Sequence, residues 1–181
     1  MKIDNKKARI ILAVIIAVSL VISTVYMFAK QGFHEDELLT YNLANSSKQL
    51  NVDGGWNSPE DFNEYLAVSP DDRFDYAQVY ENQIIDASHP PLYYALVHTV
   101  CSFFPSVFSK WLAYSINVLA MAGILIMLYK IGRKITGNNL YALIGVGAYA
   151  LSIACITTTI YLRMYATLTF WVLAFVYMSI K

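Results

Sequence analysis

An uninterrupted apolar run from Ile10 to Ala29 constrains this chain more than any other feature. As an α-helix its twenty residues span about 30 Å, which is the thickness of the hydrocarbon core of a bilayer. The competing interpretation is a signal peptide, whose apolar region is about 7–15 residues long and ends in a cleavage site of small residues. Tyr26, Met27 and Phe28 do not fit such a site. We therefore predict a retained membrane helix over residues 10–29.

Basic residues before this run orient the predicted helix. Lys2, Lys6, Lys7 and Arg9 precede it. Because Lys and Arg accumulate on the cytoplasmic side of membrane proteins, residues 1–9 are expected in the cytoplasm and Lys30 onward outside.

The acidic residues are concentrated in one segment. Although 57% of the chain is hydrophobic, 12 of its 13 acidic residues lie between Glu35 and Asp86, where the basic residues are Lys48 and Arg73. This pattern predicts one external, solvated loop over residues 30–106 of a membrane protein. The basic residues form no extended patch, so we expect no nucleic-acid partner.

Two juxtamembrane helices are expected in this loop, over about residues 33–47 and 91–104. The first contains good helix formers without a clean amphipathic stripe. The second follows from Pro90 and Pro91, because proline is preset for the first position of a helix. Between the two, Ser58 and Pro59 predict a further helix start, with Ser58 as the N-cap.

The residues of the second helix indicate how it lies. Ala95, His98, Thr99 and Ser102 fall at i, i+3, i+4 and i+7 on one face, among apolar residues elsewhere. This pattern is typical of an amphipathic helix that lies along a membrane surface. His98 is interpreted as a structural hydrogen-bonding residue.

The remaining apolar runs complete the expected topology. If residues 91–104 crossed the bilayer, Lys130, Arg133 and Lys134 would lie outside, against the usual bias of positive charge. A flat helix places these residues in the cytoplasm and Arg163 on the outer side. The expected transmembrane helices are residues 10–29, 107–129, 140–161 and 164–180, with a cytoplasmic turn over 130–139. We therefore predict an all-α, multi-pass plasma-membrane protein with about four transmembrane helices and the loop outside.

Several polar residues would then share the outer face. Asp36 and Glu37 are adjacent carboxylates, which suit a general base or a divalent cation such as Mg²⁺ or Mn²⁺. Arg163 lies between two apolar runs, where a charge is costly and marks a candidate functional residue. Simpler interpretations stay open, namely a solvated acidic surface for the pair and an arginine that reaches the lipid headgroups.

Three motifs resemble those of a known family. Asp86 followed by His89-Pro90-Pro91-Leu92 resembles the HPPL motif of the protein O-mannosyltransferases and a proline-containing segment of the aminoarabinose transferases of lipid A. Asp36-Glu37 resembles the acidic pair in the first external loop of these enzymes. Arg163-Met164-Tyr165 resembles the Arg-Tyr that follows a later membrane helix. The family is the GT-C-type glycosyltransferases (family 39-like), and this chain resembles their N-terminal portion.

The resemblance implies an inverting sugar transfer. Asp36 would deprotonate the acceptor, and Glu37 would support it or a divalent cation. His89 and Arg163 would bind the phosphate of a polyprenyl-phosphate sugar and stabilise the charge that develops there. The further substrate-binding residues are His34, Asp86 and Tyr165. The chain departs from the family because no acidic residue follows Arg163 and Tyr165, and because relatives continue with more membrane helices.

The leading hypothesis is therefore a membrane glycosyltransferase, or its N-terminal module. It would transfer sugar from a polyprenyl-phosphate donor to a lipid, glycan or protein acceptor on the outer face. The alternative is a non-catalytic membrane subunit or lipid-binding scaffold derived from that family. A transporter is less favoured, since the polar residues gather at one surface and not at the bilayer midplane.

Overall fold

A computed structural model describes residues 3–48, 50 and 59–180 of the chain. Over this part the protein is all-helical, with 78% helix and no strand, which confirms the expected all-α class. Its helices are α1 (Asn5–Ala29), α2 (Glu35–Asn45), α3 (Pro59–Leu66), a 3₁₀ helix (Pro70–Asp72), α4 (Tyr76–Asp86), α5 (Pro91–Ser102), α6 (Lys110–Thr136), α7 (Asn139–Ala150), α8 (Ile153–Ile160) and α9 (Tyr165–Ser179).

The chain divides into two compact units. The apolar unit comprises Met1–Gln31 and Asn117–Lys181, and the loop unit comprises Gly32–Ile116. Helix α6 begins in the loop unit and continues in the apolar unit.

Two helices in the described part of the chain, α1 and α6, are long and apolar enough to cross a membrane. Helices α7 and α8 together also pass this test but are bent by 59° at a short break, so the number of spans rises to three if they form one. Helix α9 has 15 residues and is shorter than a typical span. These findings agree with a membrane protein, and the division into four spans stays a prediction.

The core of the apolar unit is built on small side chains. Helix α1 packs against α7 and α8, and Ala8, Ala142 and Ala150 are buried in the shared core with larger residues such as Met121 and Leu125. Small side chains let helix backbones approach closely, as is common between membrane helices.

A break interrupts the segment for which the sequence predicts one continuous helix over 140–161. Helix α7 ends at Ala150, and Ser152 caps α8 by accepting a hydrogen bond from the Cys155 backbone N–H at 3.2 Å. The hydroxyl of Ser19, on α1, donates to the Ala150 carbonyl at 3.0 Å. A carbonyl that lost its helical partner at the bend is thereby satisfied inside the protein.

A second break separates α8 from α9, and side chains again satisfy its carbonyls. The Asn117 amide donates to the Thr159 and Tyr161 carbonyls at 3.2 and 2.7 Å. The Lys30 ammonium donates to the Ile160 carbonyl at 3.2 Å. The end of α8 is therefore held from two sides.

The loop unit is organised around α2, which packs against α3, α4 and α5. Side-chain amides fix the connections, since Asn42 donates to the Lys48 and Tyr65 carbonyls and Asn45 to that of Leu66. Helix α3 begins at the expected Pro59, while its predicted N-cap, Ser58, lies outside the described residues. Helices α2 and α5 fall within the ranges 33–47 and 91–104.

Tyr41 ties α2 to the start of α6. Its hydroxyl donates to the Ser109 carbonyl at 2.7 Å and accepts from the Ala113 N–H at 3.0 Å. The ring packs edge-on against Phe108, with 4.9 Å between the centroids. Burial raises the pKa of Tyr41 well above its ordinary value, so the hydroxyl stays protonated and keeps donating.

Replacing Asn117 tests the support of the second break. An Asn117→Leu variant would remove this donor from the Thr159 carbonyl, whereas the Tyr161 carbonyl keeps the Arg163 N–H. A buried carbonyl left without a partner costs about 1–3 kcal/mol. We expect the free energy of unfolding, measured by denaturant titration in detergent micelles, to fall by about that amount. Ser115→Ala is the control, because the Ser115 hydroxyl is exposed and bonds within its own helix. Equal stability of the two variants would contradict the role given to Asn117.

Candidate functional site

The first group of predicted residues lies at the start of α2. His34 is the N-cap, and its Nδ1 accepts a hydrogen bond from the Asp36 backbone N–H at 3.2 Å. The Glu37 carboxylate accepts from the His34 backbone N–H at 2.8 Å, which completes a capping box. His34, Asp36 and Glu37 are thus fixed by the same helix start.

The two carboxylates of this group have different environments. Glu37 is fully buried and is committed to the cap, whereas the side chain of Asp36 is 43% exposed and its carboxylate lies 3.7 Å from His34 Nδ1. The geometry therefore favours Asp36 as the carboxylate that a substrate can reach. Glu37 stabilises the helix start that carries it.

The second group lies in the turn between α4 and α5. Ala87 adopts a left-handed conformation with φ of 54°, which ends α4 at Asp86. The Asp86 carboxylate accepts from the Ser88 N–H at 3.1 Å and lies 2.7 Å from His89 Nδ1. Because an ionised carboxylate only accepts, this short contact places a proton on His89 Nδ1 and orients the ring.

Pro90 and Pro91 then begin α5, with Pro90 at the N-cap and Pro91 in the first turn. The sequence predicts this start at about residue 91, as observed. The imidazole of His89 is therefore held between a carboxylate on one side and a rigid dipeptide on the other.

Arg163 and Tyr165 belong to the apolar unit, in the break between α8 and α9. Arg163 is 4% exposed, and its backbone N–H donates to the Tyr161 carbonyl at 2.8 Å. Tyr165 begins α9, and its ring stacks on that of Tyr161 at 5.9 Å with 8° between the planes. The guanidinium is thus placed by backbone structure that Asn117 and Lys30 support.

The structure therefore gathers the predicted residues into three local groups. Contacts within the loop unit join His34 to Asp36 and Glu37, and Asp86 to His89. Helix α2, which carries the first group, packs against α4 and α5, which flank the second. The third group, Arg163 with Tyr165, lies in the apolar unit.

Lys30 and Tyr161 are not among the site residues that the sequence predicts. A cleft of about 360 Å³ in the apolar unit is lined by Lys30, Thr157, Thr158, Ile160, Tyr161 and Tyr165. Lys30 is the first charge after the apolar run of α1, which is the one signal that could have indicated it. Tyr161 gives no signal beyond its spacing of four residues from Tyr165.

The apolar unit also contains a groove of about 420 Å³ between α6, α7 and α9, lined almost wholly by apolar side chains such as Ile124, Leu128 and Leu173. Gly145 lines this groove, and a Cβ atom at that position would meet nothing within 4 Å. The groove is therefore open at Gly145 and could be filled by a larger side chain.

No group of three or more His, Cys, Asp or Glu side chains within the described ranges is arranged to hold a metal ion. Asp36 and Glu37 are two adjacent carboxylates, and one of them serves the capping box. A divalent cation at this pair stays a prediction.

His98 is fully buried between the helices of the loop unit. Neither ring nitrogen makes a hydrogen bond of standard geometry, but the Ala44 and Asp72 backbones act on the ring, so the expected hydrogen-bonding role stays a prediction. Burial lowers the pKa of His98, and the Ala44 and Asp72 carbonyls and the Asp75 carboxylate oppose this only in part. The ring is therefore buried in its neutral form, with its plane edge-on to Tyr76 at 5.7 Å.

The buried His98 predicts a pH-dependent stability. A lowered pKa in the folded state means that the unfolded chain binds a proton more readily, so this contribution is complete above the ordinary pKa of 6.5 and is lost as the pH falls below it. We expect the free energy of unfolding to decrease below pH 6.5 with a slope of at most about 1.4 kcal/mol per pH unit from this group. Denaturant titrations of the wild type and of His98→Leu at pH 8 and pH 5 measure it. The same loss in both proteins would contradict the prediction.

No family model, curated protein or solved structure gives a significant match to this chain. The likeness to the GT-C-type glycosyltransferases therefore depends on the three motifs and their order.

Proposed function

We propose that this protein is a membrane glycosyltransferase, or the N-terminal module of one, that takes sugar from a polyprenyl-phosphate donor. Transfer would occur at the outer face of the plasma membrane, to a lipid, glycan or protein acceptor. The proposed topology has four transmembrane helices, a cytoplasmic N-terminus and the loop unit outside.

The burial of Arg163 carries this proposal. Arg163 is 4% exposed in a unit whose described core is apolar, and a buried charged residue in such surroundings is a candidate functional residue. Arginine suits phosphate because its planar N–H groups match the phosphate oxygens. In a site with little water, the attraction between these charges is several-fold stronger than in bulk water.

The reaction proposed for Asp36 is a direct displacement. The Asp36 carboxylate takes the proton of an acceptor hydroxyl, and the acceptor oxygen forms a bond to the anomeric carbon of the sugar. The bond from that carbon to the phosphate oxygen breaks, and its electron pair leaves with polyprenyl phosphate. Attack opposite to the leaving group inverts the anomeric configuration.

His89 and Arg163 would stabilise the charge that develops on the departing phosphate. The Asp86 carboxylate orients the His89 ring through Nδ1, so its contribution is one of positioning. Tyr165 and His34 would border the substrate, at the starts of α9 and α2. Glu37 would hold the helix start of Asp36, and a divalent cation at this pair is tested by activity in the presence of EDTA.

The apolar groove between α6, α7 and α9 supports a donor with a long hydrocarbon chain. Its lining is almost wholly apolar and it is open at Gly145. An isoprenoid chain could occupy it without burying any polar group unpaired.

Replacing Asp36 tests the chemistry. Asp36→Asn removes the base but keeps the size and shape of the side chain, so we expect the rate of transfer to fall about 10²- to 10⁴-fold. The assay measures release of polyprenyl phosphate from polyprenyl-phosphate mannose, and from a panel of other polyprenyl-phosphate sugars, by the full chain in nanodiscs. Glu35→Gln is the matched control, since Glu35 is an exposed carboxylate in the same first turn. It should lose much less activity.

Binding distinguishes the proposal from its alternative. A non-catalytic, lipid-binding scaffold would bind polyprenyl phosphate in saturable fashion but release no product with any donor. Retained activity in Asp36→Asn would remove this residue from the mechanism. Absence of both saturable binding and transfer would contradict the proposed function altogether.

Filling the groove tests the site of the lipid chain. Gly145→Leu should weaken binding of long-chain polyprenyl phosphate by several-fold and leave binding of a short-chain analogue unchanged, because only the long chain would reach the groove. Ala148→Leu is the control, since Ala148 lies on the same helix, is exposed and does not line the groove. Equal affinities of the two variants for the long-chain lipid would exclude the groove, and the wild-type assay above is unaffected by this result.

A further inference from the structure

Helices α4 and α5 expose several large apolar side chains, and their buried faces mix polar residues with apolar ones such as Val79, Tyr94 and Val97. On α4, Tyr80 and Ile84 are each 59% exposed, whereas Gln83 is buried. On α5, Leu92 and Leu96 are exposed, whereas His98 and Ser102 are fully buried. Helices that face water usually carry polar residues along their exposed side.

The buried polar groups strengthen this contrast. Neither the Gln83 amide oxygen nor its nitrogen has a hydrogen-bond partner of standard geometry, and the His98 ring is fully buried near the Ala44 and Asp72 backbone. A soluble hairpin would gain by turning these groups to water and its leucines inward. The observed orientation therefore indicates that the medium outside is apolar.

The outward residues of the two helices form one surface. The Tyr76 hydroxyl lies 3.0 Å from Thr99 Oγ1, which places the start of α4 beside the end of α5. The rings of Phe74 and Phe103 meet edge-on at 5.4 Å. The two helices thus run antiparallel, and their outward residues at spacings of four lie side by side. We call this surface the hairpin face: Tyr76, Tyr80, Ile84, Leu92, Leu96 and Phe103.

The chain itself keeps the hairpin face near a membrane. Seven residues separate Ser102 from Lys110, where the candidate span α6 begins, and such a link reaches on the order of 28 Å at most. The first turns of α6 also belong to the loop unit, and the two hydrogen bonds of Tyr41 fasten them to α2. The hairpin is therefore held close to the end of a membrane-spanning helix.

The composition of the hairpin face fits the interfacial layer of a bilayer. None of its six residues is charged, and aromatic side chains with a polar edge accompany Ile and Leu. Tyrosine is enriched at this depth because its ring is apolar and its hydroxyl reaches the headgroups. Glu81 is exposed on α4 beside this stripe and carries a charge.

We propose that the hairpin face is immersed in the lipid interface, so that α4 and α5 together form a monotopic membrane element. This goes beyond the sequence pattern, which predicts a surface position for α5 alone. In this arrangement the inward side of α5, which carries His98 and Ser102, belongs to the protein core and does not face solvent. The proposal is independent of the proposed sugar transfer.

Site-resolved quenching tests it in the full chain reconstituted in liposomes. A single cysteine replaces Ile84 or Leu96 on the hairpin face, or Glu81 as the control on the same hairpin, and carries an environment-sensitive fluorophore. The native Cys101 and Cys155 are buried, and burial raises the pKa of Cys101 to about 11, so unlabelled wild type serves as the background control. Quenchers are a nitroxide-bearing phospholipid and aqueous iodide.

We expect labels at Ile84 and Leu96 to be quenched several-fold more by the nitroxide lipid than by iodide, and the label at Glu81 to show the reverse. Equal iodide quenching at all three positions would overturn the proposal, because the face would then lie in water. Protection from both quenchers would also overturn it, since a protein surface, such as a second copy, would then cover the face.

Discussion

Carbonyl groups released where helices break are the constraint on which the apolar unit depends. The hydrocarbon core offers no water, so each such group must find a donor within the protein. Ser19 supplies one at the end of α7, and Asn117 and Lys30 supply the others at the end of α8. With these donors in place, the chain can bend by 59° between α7 and α8 and break again between α8 and α9. Arg163 lies in the break between α8 and α9, so the donors that support this break also position the buried arginine.

Carbonyl groups in the loop unit also need donors, but not every buried polar group there has a partner of standard geometry. Its connections are fixed by amides such as Asn42 and Asn45, which satisfy carbonyls in the short links between helices. Gln83 is buried without a comparable partner, and burial lowers the pKa of His98, so we expect the unit to lose stability in acid. Such an arrangement is understandable if the outward side must be apolar. In the proposed membrane element, contact with lipid would decide which face of α4 and α5 turns inward.

The sequence predicts those features that depend on neighbouring residues. The apolar run of α1, the start of α5 at Pro91 and the helical class all follow from local patterns. The break between α7 and α8 does not, because it is stabilised by Ser19, which lies 131 residues from Ala150 in the chain. The sequence does not predict the inward orientation of His98 either, because periodicity defines two faces of a helix without indicating which one meets the protein. For the same reason the pair Asp36-Glu37 could not be divided from sequence into an accessible acid and a buried cap.

The described helix starts support the proposed chemistry. Helices α2, α4, α7 and α8 begin with a side-chain cap, from His34, Asp75, Asn138 and Ser152. Helices α5 and α9 have no side-chain cap, and these are the two that follow His89 and Arg163. Backbone N–H groups and the positive end of the helix dipole favour an anion at such a start. The start of α9 would add backbone N–H donors to the charge of Arg163, whereas Pro91 removes one such donor at the start of α5. In the proposed enzyme these helix starts would act together with the two side chains on a departing phosphate, a requirement that a scaffold would not have.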